Sequence, residues 1–206
     1  GGMTAQQTAT QNTITLKGST QIVSEFFQYA VNSILYQRGL YDPEDFEKKK
    51  KYGLSLMVTT DEGLANYLKT VMSQISAWTE AGTLQKLVLV ISSVASKEVM
   101  ERWTFDIETD KAVLEGGEAP VKEEKEITKE IQAIIRQITA SVTFLPLLDE
   151  PCSFDLLVYT NADSSVPANW EESDPRYINN SETVKLRSFT TKVHTVDAMV
   201  AYKSED

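Results

Sequence analysis

The stretch RYINNSETVKLRSFTTKVHTVDAMVAYKSED, residues 176–206, contains neither glycine nor proline, yet much of it reads as β-strand. Val184 and Leu186 share one face of an extended chain, whereas Phe189, Thr191 and Val193 share the other. The apolar phase therefore switches inside the segment, and no turn residue marks where. Slipping a strand by one residue exchanges its faces, so a clear alternation normally fixes register. Here two readings stay open: one irregular hairpin with a bulge, or a segment able to pair in more than one way.

Working outward, residues 152–160 (CSFDLLVYT) read as a strand, and residues 142–148 as another, separated by Asp149-Glu150-Pro151. A helix starts near Glu123. At 100° per residue Ile127, Ile131, Ile134 and Ile138 fall within an arc of about 60°, with Arg136 roughly opposite. Arg136 is therefore expected on an exposed face, beside Gln137. Residues 110–124 are acidic, hold Gly116-Gly117 and Pro120, and read as a mobile loop.

Residues 86–94 are nearly all aliphatic, as in a buried strand, and residues 99–108 alternate, with Trp103, Phe105 and Ile107 on one face. A four-residue link between them suits a hairpin. Nearer the N-terminus, Ile22, Val23, Phe26, Phe27, Ala30, Val31, Ile34 and Leu35 make a stripe too broad for a surface helix. That spacing predicts a central helix, with Ser19 as N-cap and Gly39 just past its end. Residues 54–59 read as a strand, and Asp61 caps a further helix carrying Leu64, Leu68, Val71, Ile75 and Trp78 that stops at Gly82. The expected class is a mixed α/β (α+β type) domain: three helices packed on a largely antiparallel sheet.

Composition narrows the function. A chain of 206 residues with 41% hydrophobic content builds a real core, most simply as one domain. The net charge of −10 argues against a nucleic-acid-binding surface. The run 48–51 of four lysines follows Asp42, Glu44, Asp45 and Glu47 and reads as a solvated face or loop. One cysteine, Cys152, permits no intramolecular disulfide and fits a reducing compartment. No apolar run approaches the ~18 residues of a membrane span. Gly1-Gly2 before Met3 resembles a cleavage scar, and the polar residues after it carry no secretory signal.

Catalytic material is thin. His194 is the sole histidine, so a multi-histidine metal site is excluded, and one thiol cannot build a zinc cluster. A Cys152–His194 dyad is conceivable, but Cys152 in an apolar strand reads as a core thiol. No phosphate loop or dinucleotide fingerprint is present. Asp155, between Phe154 and Leu156, is the one carboxylate in an apolar setting, and a hydrolase built on it is a minor alternative. Binding chemistry is better represented. A strand such as 152–160, left as a sheet edge, offers backbone hydrogen bonds to an extended peptide. Trp78, Trp103 and Trp170 each read either as core or as anchors for a ligand.

Several stretches together resemble the HORMA-domain family, in its spindle-checkpoint branch. They are ITLKGS (14–19), VSEFFQYAVNSILYQRGLY (23–41), KKYGL (50–54), ERWTFDIE (101–108), IIRQITASVTFLPLL (134–148) and CSFDLLVYT (152–160). VPANWEES (166–173), KLRSFTTKVHTV (185–196) and VAYK (200–203) carry the match through the tail. The translesion-polymerase HORMA subunit shares the fold but fits these stretches less well.

The resemblance implies a two-state peptide-binding switch without cofactor or catalysis. It implies a flexible arm over 1–13 and one HORMA domain over 14–206, with 161–206 as a safety belt. In the family's open form the belt covers the ligand edge, and in its closed form it moves to the opposite side and wraps the peptide. The implied partners are peptide motifs of the anaphase-promoting-complex activator and of a kinetochore coiled-coil protein. A homodimer of open and closed conformers is also implied, as is an AAA+ remodelling ATPase with its adaptor acting on the N-terminal arm. Neither nucleic acid nor membrane is a partner. Holding the activator delays anaphase, and the implied location is nucleus, kinetochore and cytoplasm.

By the same resemblance Trp78, Phe154, Asp155, Leu156, Leu157 and Tyr202 are peptide-binding positions. Arg136, Gln137, Thr143, Phe144 and Arg187 form the dimer surface. Two departures are Tyr41-Asp42-Pro43, with proline one residue later than usual, and the chain end YKSED.

Overall fold

The computed structural model describes residues 14–161, 166–167, 170 and 173–204. Helix α1 (Leu16–Gln37) runs through the centre, with Val23, Phe26, Phe27, Ala30, Val31, Ile34 and Leu35 all sealed from solvent. Its N-cap is Thr15, whose side chain accepts from the Gly18 amide at 2.9 Å, rather than the expected Ser19. Ser19 lies one turn inside, fully buried, where its hydroxyl serves another purpose described below. Gly39 follows the helix with φ 69°, as its position predicted.

Of the two readings of the lysine run, the solvated face holds and the loop does not: the run lies on a strand. Strand β1 (Phe46–Lys51) pairs antiparallel with β2 (Leu54–Thr59) as a separate hairpin that packs on α1. Lys48, Lys49 and Lys50 remain exposed, while Lys51 pairs with Glu25. Helix α2 (Glu62–Ala81) begins at Asp61, whose carboxylate accepts from the Leu64 amide at 2.8 Å. It ends at Gly82, with φ 74°. A side chain there would be strained at this φ and would also displace the end of the Leu114 side chain, so the conformation favours glycine.

The main sheet has five strands in the order β5-β3-β4-β7-β6, with every neighbour antiparallel. They are β3 (Leu84–Ser93), β4 (Val99–Thr109), β5 (Cys152–Thr160), β6 (Ser181–Thr190) and β7 (His194–Lys203). Period-two alternation gives the sheet two faces. Leu87, Leu89, Ile91, Trp103, Phe105, Val196, Ala198 and Val200 meet the helical layer. Arg102, Thr104, Asp155, Leu157 and Tyr159 occupy the alternate positions, on the face without helices. Helix α4 (Glu124–Thr139) closes the layer through Ile127, Ile131, Ile134 and Ile138, as its periodicity predicted.

Two further expectations fail for identifiable reasons. Residues 142–148 are not a strand: a 3-10 turn (Ala140–Thr143) follows α4 and irregular chain comes next. Pro146 has no N–H for a ladder, and its carbonyl instead accepts from the Arg38 guanidinium at 2.6 Å. The acidic stretch after β4 is anchored rather than loose. Asp110 caps a short helix, α3 (Lys111–Leu114), and Val113 and Ala119 are buried with Val193.

The tail resolves its phase switch with a bulge. Between the pairs Lys185↔Met199 and Ser188↔Asp197, β6 advances three residues while β7 advances two. Val184, Leu186 and Phe189 can then all turn to the helical side. The Arg187 N–H at the bulge is satisfied by the Gln137 side-chain oxygen at 2.7 Å. Lower on the hairpin, Glu130 accepts from the Thr190 amide at 3.0 Å, and Lys122 donates to the Thr190 carbonyl at 2.9 Å.

Candidate functional site

Strand β5 is the place where backbone chemistry is left open. Among the described residues it pairs with β3 alone, so its outer side presents unshared N–H and C=O groups. Phe154 faces the helical layer there. Its ring lies 6.3 Å from Tyr41 and 6.1 Å from Tyr67, both steeply inclined. Burial, with a smaller push from Asp61, raises the Tyr41 pKa, and burial aided by Asp155 raises that of Tyr67. Both phenols therefore stay protonated and able to donate at neutral pH. Further along α2, Trp78 is buried and meets Trp170 edge-on at 5.1 Å. An apolar aromatic row thus runs between α2 and the open edge.

The six expected peptide-binding positions do not all gather there. Phe154 and Leu156 lie on the helical face of β5, and Trp78 on the flanking helix. Asp155 and Leu157 belong to the opposite face of the same strand, where Asp155 pairs with Arg176 at 2.9 Å. Tyr202 stands apart. It sits on β7, beside Glu101 of β4 and Glu182 of β6, and donates to Glu182 at 2.7 Å. Three strand spacings, about 14 Å, separate β7 from β5. Tyr41 and Tyr67 were missed because one follows a glycine turn and the other is a half-exposed helix position. Only the fold brings them to Phe154.

The five expected interface positions do converge. Arg136 is exposed on α4, as its helical phase required, and Gln137 reaches from the same helix to Arg187 of β6. Thr143 and Phe144 follow directly on the 3-10 turn, and both are exposed. One surface therefore carries all five.

The dyad considered from sequence is not assembled. Cys152 pairs with Ser93 at one end of the sheet, and His194 with Thr109 at the other. Burial raises the Cys152 pKa, which keeps the thiol unreactive. No cluster of metal-ligating side chains occurs among the described residues, and no helix among them is long and apolar enough to cross a membrane.

His194 has a different role. It is fully buried, with Nε2 at 3.2 Å from the Thr79 carbonyl and Nδ1 at 2.7 Å from Ser19 Oγ. The carbonyl can only accept, so Nε2 carries the proton and Nδ1 accepts from Ser19. Ser19 Oγ in turn lies 2.6 Å from Thr191 Oγ1. The turn of the tail hairpin is thereby tied to both α1 and the end of α2. Burial lowers the His194 pKa, opposed by the bond to Thr79. A histidine held below its unfolded value contributes stability above that value, near 6.5, and loses it as pH falls toward the folded one. We expect Tm to drop between pH 7.5 and 5.5, and His194→Asn to show a smaller drop. Equal pH slopes for both proteins would contradict this assignment.

Comparison with known proteins agrees with this architecture. The HORMA domain model matches residues 19–194. The mitotic spindle assembly checkpoint protein MAD2A of Dictyostelium discoideum is 61% identical over 196 residues, covering 95% of this chain and 96% of its own. The human protein of that name is 55% identical, covering 97% of both chains. A chain in the crystal structure of the mitotic checkpoint complex shares 49% identity and superposes with a TM-score of 0.83, covering 91% of this chain and 99% of its own. The chain belongs to the HORMA-domain family. Within that family it is a mitotic spindle checkpoint protein, an assignment carried by full-length relatives of high identity.

Proposed function

We propose that this protein acts by entrapping an extended peptide on the outer edge of β5, and that the molecule described here has the closed arrangement. The supporting observation is the placement of the tail. Its hairpin pairs with β4 through nine residue pairs, from Glu101↔Tyr202 to Thr109↔His194, on the flank opposite β5. The edge nearest the aromatic row is thus available for β-augmentation, in which backbone bonds supply affinity and side-chain pockets supply selection. The peptide motifs are those of the anaphase-promoting-complex activator and of the kinetochore coiled-coil partner, and retention of the activator delays anaphase. Catalysis has no part in this reading. The protein works in the nucleus, at kinetochores and in the cytoplasm, and the AAA+ ATPase with its adaptor acts on the N-terminal arm. That arm lies outside the described residues.

Titration with a peptide from the activator tests the edge. Binding should be strong for the unmodified peptide and lost when alternate backbone nitrogens are methylated, because each methyl removes a ladder donor. Equal affinity for both peptides would refute pairing at an edge.

The α4 and β6 surface is proposed as the contact between open and closed molecules. Arg136→Glu should abolish self-association through charge repulsion and leave peptide affinity within about twofold. An unchanged elution volume on size exclusion would remove Arg136 from that contact.

A further inference from the structure

The described residues before β6 touch both sides of the sheet. Trp170 contacts Trp78 on the helical side, whereas Arg176 bonds to Asp155 and Ser92 on the face without helices. Around Arg176 lies a compact set of fastenings. Arg176 donates through Nη1 to Asp155 at 2.9 Å and through Nη2 to Ser92 at 3.3 Å. Arg102, on β4, donates from Nε to the Pro175 carbonyl at 3.1 Å and from Nη2 to the Tyr159 hydroxyl at 3.1 Å. Its guanidinium also lies 4.9 Å from the centre of the Tyr177 ring.

The backbone is shaped for this contact. Arg176 has φ 54°, a region that costs a non-glycine residue energy. Asp174 braces it by accepting from the Arg176 amide at 2.9 Å. Val88 and Val90 lie at β3 positions on this same face, yet both are completely shielded from solvent. The fastened segment is thus a strap laid across the sheet, attached mainly by two arginines.

We propose that Arg176, gripping Asp155 and Ser92, and Arg102, gripping Pro175 and Tyr177, form a clasp that sets how fast a peptide enters and leaves the β5 edge. This rests on the peptide-entrapment reading above. Both arginines are positioning residues, because they hold the strap on the face away from the aromatic row. The clasp uses none of the outer backbone groups of β5, so within the closed arrangement it is compatible with a filled or an empty edge, and it must break for the strap to lift. Weakening it lowers the barrier to entry and exit equally. Affinity is then nearly unchanged while exchange accelerates.

Association and dissociation rates of the activator peptide should be measured on the full chain by stopped-flow fluorescence. Arg176→Gln keeps a non-glycine residue at the same φ and removes only the charge. An exposed ion pair of this kind implies that both rates rise about two- to fivefold. Adding Arg102→Gln should bring the increase to about tenfold, with Kd unchanged within twofold. The paired exchange Arg176→Asp with Asp155→Arg should restore slow exchange, and added salt should speed the wild type but not Arg176→Gln.

Unchanged rates would overturn the clasp. A rise in dissociation alone, with weaker Kd, would also overturn it by making Arg176 a peptide contact. Failure of the wild type to bind any peptide would instead sink the entrapment reading, and the clasp with it.

Discussion

Replacing Glu101 with glutamine is expected to cost about 3–5 kcal/mol of folding stability. The side chain is almost wholly buried on β4, where its carboxylate accepts from Arg38 Nε at 2.9 and 3.1 Å, and from the indole N–H of Trp103 at 3.1 Å. Arg38 is itself buried, and its other bond goes to the Pro146 carbonyl. Glutamine keeps the shape but leaves a guanidinium charge in the core without a counter-charge. The penalty is the desolvation of that charge, which water no longer offsets. Urea unfolding should show a midpoint far below wild type. The double variant Arg38→Met with Glu101→Leu should recover most of the loss, since neither charge then remains to be desolvated. A midpoint within error of wild type for Glu101→Gln would show that the pair is not buried as described.

Phe189→Ala should be of similar size, about 3–5 kcal/mol, but its effect should concentrate in the tail. Phe189 packs 4.9 Å from Phe26, which in turn meets Phe27 at a tilt and Phe105 edge-on. This ring cluster joins α1, β4 and β6, so removing Phe189 leaves a cavity that the scaffold cannot collapse to fill. A fold with two tail placements separated by only a few kcal/mol would be shifted away from the present one by that amount. Amide exchange across residues 181–203 should accelerate strongly, while β3 and α1 stay protected. Unaltered protection of the tail would mean that Phe189 does not hold it on β4.

Much of this fold could be read in one dimension because its elements have strong periods and chemical stops. The α1 stripe, the Asp61 cap, Gly82 after α2 and the isoleucine arc of α4 each rest on residues close in sequence. Readings failed where a distant partner decided. Ser19 satisfies the rule for an N-cap, but a histidine 175 residues away claims its hydroxyl. The lysine run reads as a solvated face or a loop, and only the ladder that β2 offers makes it the solvated face of a strand, since an exposed strand needs no apolar pattern of its own. For residues 142–148 the competing fact was Pro146, whose carbonyl is held by Arg38.

The candidate site divides in the same way. The strand 152–160 was visible because a short apolar run is a local feature. Its place at a sheet edge and the role of Phe154 were only implied by the family resemblance until the fold put β5 outermost. Arg102, Arg176, Tyr41 and Tyr67 carry no pattern that sets them apart. They matter through what lies across from them.

The sequence by itself determined the three long helices and the strand character of residues 86–94, 99–108 and 152–160, that Arg136 faces outward, and that the tail's apolar phase switches somewhere inside it. Only the tertiary structure decided which flank of the sheet the tail occupies. Alternation along a strand specifies a face, whereas a choice between two sheet edges depends on contacts with α1, α4 and β4. Those contacts, Phe189 on Phe26, Gln137 on the bulge and His194 between Ser19 and Thr79, exist only after the chain has folded.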